Sequence, residues 1–419
     1  MKALNIPVGI SNFEKIRNNG FYYVDKTGLI EELLKTEAEV TLITRPRRFG
    51  KTLGMSMLES FFDIRKNSRK LFEGLEIARQ SELCSKWMNQ YPTVSVSFRQ
   101  VDGLNFTSAY DMLTMVFADL YNKHLYLLED SHVTEFQKKT FTNIAHGCGS
   151  EKEVKSSLVL LTTMMQQHYG KAVVLLIDEY DVPVAKANAH GYYNEMLDVM
   201  KGLLQALKDN QALCFAVVTG CLKIAKESIF TGLNNFKIFP ITKVAFDEYF
   251  GFTDDEVRDM LHYYELDSDY ETVKNWYDGY RFGKADVYCP WDVINYCSDH
   301  IEDPYLPPQN YWLNTSGNEM IYHFIDGLED QTGVTKEELE LLEEYILEGR
   351  DIASNEKIEK HADWAAEFLP KYKDINKDNI HEILQKEVGI VFTHVLEDAG
   401  VYKCTEEGRE AFMRFIATL

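Results

Sequence analysis

The chain has 419 residues, of which 45% are hydrophobic and 26% are charged, and its net charge at pH 7 is −22. This composition is typical of a folded globular protein with two or three domains, and it excludes a disordered or collagen-like chain. No apolar run reaches the roughly 18 residues that a membrane-spanning helix needs, and the N-terminus lacks the apolar core of a signal peptide. We therefore expect a cytoplasmic protein that does not contact a membrane.

The charge is unevenly distributed along the chain. Residues 1–100 carry 16 basic and 11 acidic residues, whereas residues 246–360 carry 8 basic and 29 acidic residues. The first segment favours an anionic ligand such as a triphosphate, and the second repels polyanions. The acidic residues are most simply interpreted as a solvated surface. In either case the sequence disfavours direct binding of nucleic acid.

The first strong motif is VTLITRPRRFGKTLGMSML, residues 40–58. An apolar run predicts a strand, a tight loop ends in Gly50-Lys51-Thr52, and a helical apolar pattern follows. In a phosphate site of this order, backbone N–H groups and Lys51 face the phosphates, and the Thr52 hydroxyl can bind Mg²⁺. Arg45 stands where the usual pattern has glycine, so the motif alone is also compatible with a chance match.

Two segments are candidates for contact with a nucleotide. Residues 21–27 and the helical pattern after them can pack beside the base, and they are equally consistent with a purely structural helix. The loop itself supplies the predicted cofactor contacts, which come from Arg47, Arg48, Phe49, Gly50, Lys51, Thr52 and Leu53.

The second strong motif is AVVLLIDEYD, residues 172–181. Its five consecutive apolar residues predict a central strand of a parallel sheet. Asp178 and Glu179 follow at the carboxyl end, where open α/β sheets bind ligands. Asp178 suits the Mg²⁺ shell, and Glu179 suits the orientation and deprotonation of an attacking water. An Asp-Glu pair after a buried strand also occurs by chance, but the upstream phosphate motif makes the functional interpretation stronger.

Other apolar segments complete a predicted five-stranded, mainly parallel sheet, as in an α/β P-loop NTPase. Its strands would suit the spatial order 5-1-4-3-2. Thr219, at the end of one strand, is a candidate contact for the γ-phosphate or the attacking water, and capping of the next turn explains it equally well. The additional strands are predicted at 93–98, 213–220 and 237–244, with helices at about 51–64, 107–129, 151–168 and 191–208.

The character of the chain changes near residue 245, after which mostly helical patterns follow. Thr253 and Glu256 predict a capping box. Arg281, within the aromatic turn WYDGYRFG, is a candidate positive finger toward the γ-phosphate; a structural cation–π contact is the favoured alternative. The predicted domains are an ATPase domain over 1–245, a helical acidic lid-like domain over 246–350 and a small helical or winged-helix-like cap over 351–419.

Several long segments together resemble a bacterial family of AAA-like P-loop ATPases, over roughly residues 5–320. They are IPVGISNFEKIRNNGFYYVDKT, TRPRRFGKT, LLIDEYD, VTGCLKIAKESIFTGLNN, FDEYFGFTDDEV, WYDGYRFGKADVYCPWDVINY and NYWLNTSGN. The resemblance implies that Arg45 is normal in the loop, that Lys51 and Thr52 bind ATP, and that Asp178 and Glu179 are the acidic pair. Many members carry a PD-(D/E)xK nuclease domain. The chain shows no such motif after residue 320, and we expect no nuclease activity from it.

The sequence therefore predicts ATP and Mg²⁺ as cofactors and ATP hydrolysis as the activity, coupled to conformational change or to assembly with another copy or a protein partner. The alternative is a nucleotide-gated switch or scaffold with little turnover. Phosphoryl transfer to a hydroxyl is weaker, because no acceptor pocket is recognisable. The predicted catalytic residues are Lys51, Glu179, Thr219 and Arg281, and the predicted metal ligands are Thr52 and Asp178.

Overall fold

The computed structural model describes residues 4–221, 235–311, 336–347, 349–355 and 357–371, together with residues 375, 376, 380, 383 and 384. Contacts divide the chain into two compact units, Met1–Gln309 and Asn310–Leu419. The sequence pattern also predicts a helix near 317–328. This segment and most of the predicted C-terminal cap lie outside the described residues.

Five parallel strands form the central sheet of the first unit. Their spatial order is β2-β3-β4-β1-β5, which is the predicted order 5-1-4-3-2. All four neighbouring pairs are parallel, which confirms the predicted α/β P-loop fold. The strands are β1 (Val40–Thr44), β2 (Thr93–Ser97), β3 (Val173–Asp178), β4 (Leu213–Gly220) and β5 (Phe236–Phe239).

The register of the sheet aligns the carboxyl ends of four strands. Ser97 of β2 is paired with Asp178 of β3. Ile43 of β1 is paired with Thr219 of β4, and Thr44 with Gly220. Since parallel strands all present their carboxyl ends at one edge of the sheet, polar residues that are distant in sequence meet there.

Ten helices connect and cover these strands within the described part of the chain up to Gly220. They are α1 (Phe13–Asn18), α2 (Gly28–Lys35), α3 (Lys51–Phe62), α4 (Ser81–Trp87), α5 (Phe106–Asn122), α6 (Glu135–Ala145), α7 (Glu151–Lys155), α8 (Ser157–Tyr169), α9 (Val182–Ala189) and α10 (Tyr193–Leu204). The side chains of Leu175 and Ile177 in β3 pack with residues of α5, α8 and α10 in the largest hydrophobic core.

Two helical predictions differ from the structure in their bounds. The helix predicted over 107–129 ends at Asn122. The helix predicted over 151–168 is interrupted at Ser156, whose hydroxyl donates to the carbonyls of Lys152 and Glu153 and so competes with the helical ladder. The break at residues 147–150 predicts an N-cap, which Ser150 forms in a capping box with Glu153.

Residues 246–309 combine three helices with a small antiparallel sheet of order β6-β8-β7. The sequence pattern predicts a helix over 246–264, but the helix begins only at Asp254, after the predicted capping box of Thr253 and Glu256. The sequence pattern predicts a short strand at 287–289, which is one of the three strands of this sheet, but not the other two, because strands of two or three residues carry little periodicity. The elements are β6 (Phe252–Thr253), α11 (Asp254–Tyr263), α12 (Tyr270–Tyr277), β7 (Tyr280–Phe282), β8 (Ala285–Tyr288) and α13 (Pro290–Glu302).

Residues 246–309 lie in the same compact unit as the central sheet. An ion pair of 2.5 Å joins Lys26 to Glu256, and the Leu4 carbonyl accepts from the Tyr264 hydroxyl. The predicted domain boundaries at residues 245 and 350 remain predictions, whereas the division by contacts falls after Gln309.

The described part of the second unit is helical. It contains α14 (Lys336–Leu347) and α15 (Ala362–Phe368), and a small core includes Leu342, Ile358 and Leu384. Within the described residues of the whole chain, no helix is both long and apolar enough to cross a membrane.

The central strand generates the first prediction. Leu175 is fully buried between β2 and β4, so Leu175→Ala should lower the free energy of unfolding by about 3 kcal/mol through lost burial and a residual cavity. Leu104→Ala is the matched control, because that leucine is 81% exposed. Urea unfolding followed by circular dichroism measures both variants. Equal stability of the two would contradict the assignment of β3 to the core.

Candidate functional site

The loop between β1 and α3 has a backbone suited to anions. Arg48 has a φ of 69° and Gly50 a φ of 84°, so two residues of the loop adopt the left-handed conformation. Gly50 also occupies the N-cap of α3 and has no side chain to cap it. Left-handed turns of this kind direct successive N–H groups into one concavity, and the helix N-terminus adds a partial positive charge. The loop therefore provides the geometry of a phosphate site.

Lys51, the first residue of α3, is 3% exposed. Its ammonium donates to the carbonyls of Arg45 and Pro46, each at 3.0 Å, and lies 3.8 Å from Glu179 Oε1. Burial lowers the pKa of Lys51, but the neighbouring Cys221 and the carboxylate of Glu179 outweigh burial and raise it. The side chain is therefore a fixed positive charge at the base of the loop.

The carboxylate of Asp178 joins three elements at the edge of the sheet. Its Oδ2 accepts from the Thr52 hydroxyl at 2.8 Å, and its Oδ1 accepts from the Thr219 hydroxyl at 2.6 Å. Burial raises the pKa of Asp178, and the hydrogen bond from Thr219 opposes this shift. The structure thus brings the predicted metal ligands Thr52 and Asp178 together, and it places the hydroxyl of Thr219 beside them. Hard oxygen donors of this kind suit Mg²⁺.

Glu179 follows β3 with a φ of 55°, which is uncommon for a residue other than glycine. This conformation turns its side chain toward the loop, where Oε1 faces Lys51 and Oε2 lies 3.7 Å from Cys221 Sγ. Strained backbone of this kind is frequent at functional sites. The predicted acid–base residue is therefore next to the phosphate loop.

Arg45 has a structural role that the sequence did not reveal. The side chain is 1% exposed, and its guanidinium donates to the carbonyls of Thr44, Phe239 and Phe246. Burial lowers the pKa of Arg45 to about 9, so it remains charged at neutral pH. The sequence pattern presents Arg45 as local positive charge near the loop, but its guanidinium is occupied by carbonyl oxygens and does not face a phosphate.

The side chain of Phe49 is also buried. Its ring packs on Tyr280 at 4.8 Å and on Phe282 at 5.1 Å, so only its backbone is free to face a nucleotide. The guanidinium of Arg48 stacks over the Trp291 ring at 4.2 Å. Two of the predicted cofactor-contacting residues therefore hold the loop against residues 280–291.

Arg281 is not directed at the loop. Its guanidinium forms a bidentate ion pair with Asp286, with distances of 2.6 and 2.7 Å, and the favoured cation–π alternative is replaced by this pair. Since alternate residues of a strand face opposite sides, and Tyr280 and Phe282 face Phe49, Arg281 lies on the opposite side of β7. Its catalytic role remains a prediction.

A largely apolar cleft adjoins the loop. One wall is the N-terminal segment that the sequence placed beside a base, and the floor is the start of α3, including Leu53. Residues near 250 and 290 form the opposite wall. The sequence did not predict this wall, because these residues approach the loop only in the folded chain. The lining includes Tyr22, Tyr23, Lys26, Leu53, Tyr249, Phe252 and Met260.

Comparison with known proteins places these features in context. The family model described as "Predicted AAA-ATPase" matches residues 7–230. An uncharacterised protein in the vnfD 5′ region of Azotobacter chroococcum is 28% identical over 298 residues, which are 70% of this chain and 52% of that protein. The chain thus spans about half the length of this curated relative.

Two further similarities are limited. Galactose-1-phosphate uridylyltransferase 1 of Streptococcus pneumoniae is 46% identical over 84 residues, only 20% of this chain and 16% of that enzyme. A Walker-type ATPase of Pyrococcus abyssi covers 94% of this chain and 96% of its own, at 14% identity and a TM-score of 0.39. Neither similarity carries an argument about the activity of this chain.

The role of Arg45 generates the second prediction. Arg45→Met keeps much of the volume but leaves two buried carbonyls and one partly buried carbonyl without this donor, and it should lower the free energy of unfolding by about 3 kcal/mol. Arg281→Met breaks an exposed ion pair and should cost less than about 1 kcal/mol. Chemical denaturation of both variants tests this difference. A stable Arg45→Met variant that binds anions poorly would show instead that Arg45 contributes to phosphate binding.

Proposed function

We propose that this chain, which belongs to the predicted AAA-ATPase family, binds ATP at the loop before α3 and hydrolyses it with Mg²⁺. The main observation behind the proposal is the pair of hydrogen bonds at Asp178. The hydroxyls of Thr52 and Thr219 each donate to one of its two carboxylate oxygens. Lys51 and Glu179 lie directly beside this group. An anion-binding loop, a hard oxygen donor set and a carboxylate base are the parts that phosphoryl transfer to water needs.

Each residue has a defined role in this proposal. The N–H groups of the loop and the Lys51 ammonium bind the β- and γ-phosphates and offset their charge. Thr52 and Asp178 would hold Mg²⁺, which supplies charge neutralisation and orientation of the phosphates when bound. Glu179 orients the attacking water and accepts its proton, and Thr219 contacts the γ-phosphate or that water.

The arginines contribute less directly. Arg47 and Arg48 add positive charge around the loop, although Arg48 is engaged by Trp291. A role for Arg281 as a positive finger would require its ion pair with Asp286 to open. We assign no step to it.

The apolar cleft is the site we propose for the base of ATP. It begins at Gly50, Leu53 and Gly54 of the phosphate loop and α3, so a nucleotide whose phosphates occupy the loop would extend into it. Aromatic side chains line its walls and offer surfaces on which a purine can stack. The cavity itself holds about 80 Å³, less than ordinary small-molecule sites, so its walls must move apart to admit a base.

The third prediction separates binding from hydrolysis. Lys51→Ala should abolish ATP binding, because the buried charge that faces the phosphates is lost. Glu179→Gln should keep binding and lower turnover about 100-fold or more, since the amide cannot accept the proton. Equilibrium binding of a fluorescent ATP analogue and phosphate release measure the two effects.

A matched control is Glu82→Gln, an exposed glutamate of α4, which should retain both binding and turnover. Unchanged hydrolysis in both Lys51→Ala and Glu179→Gln would show that the assignment is wrong. Loss of activity when Mg²⁺ is removed with EDTA, and its return when Mg²⁺ is added, tests the metal requirement.

The fourth prediction concerns the base. Leu53→Trp places a larger side chain in the cleft and should weaken ATP binding about tenfold or more, while binding of inorganic tripolyphosphate stays within about twofold. Leu104→Trp, at an exposed position, is the control. Calorimetric titration with both ligands measures the effect. A parallel loss of ATP and tripolyphosphate binding would argue against the cleft as the base site.

The packing of the loop favours a second candidate function, a nucleotide-gated switch with little intrinsic turnover. Phe49 contacts Tyr280 and Phe282, and Arg48 contacts Trp291. A nucleotide that moves the loop would therefore also act on residues 280–291. The phosphate-release assay distinguishes the two candidate functions. Rapid ATP turnover by the chain alone, without a partner, excludes the nucleotide-gated switch.

A further inference from the structure

A thiol lies between the two charged groups of the proposed site. Cys221 follows β4 directly, and the Lys51 ammonium donates to its Sγ at 3.2 Å. The same sulfur lies 3.7 Å from Glu179 Oε2, to which its S–H donates. One neutral group therefore accepts from the lysine and donates to the carboxylate.

The backbone holds this thiol in place. The N–H of Cys221 donates to Asp181 Oδ2 at 2.8 Å. A Cβ added to Gly220 would lie 2.6 Å from a ring carbon of Tyr180 and 2.7 Å from Asp181 Oδ1. Only glycine allows the end of β4 to approach the segment after β3 so closely. The position of the sulfur is thus set by both segments.

The thiol is protonated under ordinary conditions. Burial raises the pKa of Cys221 to about 12, and the charge of Lys51 opposes this shift only in part. A thiol with so high a pKa is a hydrogen-bonding group rather than a nucleophile.

The hydrogen bonds of the Lys51 ammonium indicate which contact is lost when a phosphate binds. An ammonium has three donors, and those of Lys51 are directed at the carbonyls of Arg45 and Pro46 and at Cys221 Sγ. A phosphate oxygen that binds Lys51 must replace one of these acceptors. Sulfur is the weakest of the three and is therefore replaced at the lowest cost.

We propose that Cys221 is a positioning residue for Glu179, an inference that rests on the proposed ATPase function. Once Lys51 turns to a phosphate, the S–H of Cys221 still donates to Oε2 and keeps the carboxylate oriented toward the attacking water. The thiol touches neither the nucleotide nor the water, and no covalent step involves it.

The experiment compares Cys221→Ala with Cys221→Ser. Cys221→Ala should lower kcat about five- to tenfold, the effect of one weak hydrogen bond to the base. KM for ATP should stay within about twofold, because the loop that binds the phosphates is unchanged. Cys221→Ser keeps a donor of similar shape and should restore kcat to within about twofold of the parent.

The control is Cys214→Ala, at the other end of β4, which should leave both kcat and KM unchanged. Thermal melting verifies that every variant is folded. If Cys221→Ala does not fold, Cys221→Val takes its place, since it has a similar volume and no donor.

The parent and Glu179→Gln are measured in the same assay to separate the two proposals. If the parent hydrolyses ATP, Glu179→Gln does not, and Cys221→Ala behaves like the parent, the positioning role is overturned and the ATPase function stands. Equal losses in the alanine and serine variants, or a parallel loss of kcat and affinity, would show that Cys221 only fills space. A parent without ATP hydrolysis overturns both proposals.

Discussion

A buried carboxylate must find hydrogen-bond donors, and Asp178 finds them on two other elements. Thr52 at the start of α3 and Thr219 at the end of β4 donate to its two oxygens. Without these donors the burial of a charged group at the end of β3 would be strongly unfavourable. The parallel order of β1, β4 and β3 satisfies the requirement, because it places the three elements side by side. The site therefore depends on the same strand order that defines the fold.

A second constraint ties the phosphate loop to residues 246–309. The guanidinium of Arg45 is buried, and it is stabilised by carbonyls from β1, β5 and Phe246. Phe49 inserts its ring against β7. A loop held in this way moves only if its neighbours move, since packed side chains have few alternative arrangements. This packing would couple the proposed binding of nucleotide to the conformation of residues 246–309.

Much of the fold was predictable from local patterns. The apolar run before Asp178 identified β3, and the spacing of Thr253 and Glu256 identified the start of α11. Patterns failed where an element is short or where a side chain ends the helix, as at Ser156. The small sheet β6-β8-β7 was not predicted as a sheet, because the pairing of short strands produces no periodic pattern in the sequence. The role of Cys221 and the far wall of the cleft were not predicted for a related reason. Both depend on contacts with residues that are distant in sequence.

The sequence by itself was sufficient to identify the phosphate loop, the acidic pair and the class of the fold. Strands and loops of this kind have characteristic local sequence patterns. Only the tertiary structure decided which charges face a ligand. Arg45, Arg48 and Arg281 are all positive in the sequence, yet they are engaged by carbonyls, an indole ring and a carboxylate. Lys51 alone among these four cations lies between the loop and Glu179. The physical reason is that the energy of a charge depends on its burial and its neighbours, and both are set by folding rather than by residue type.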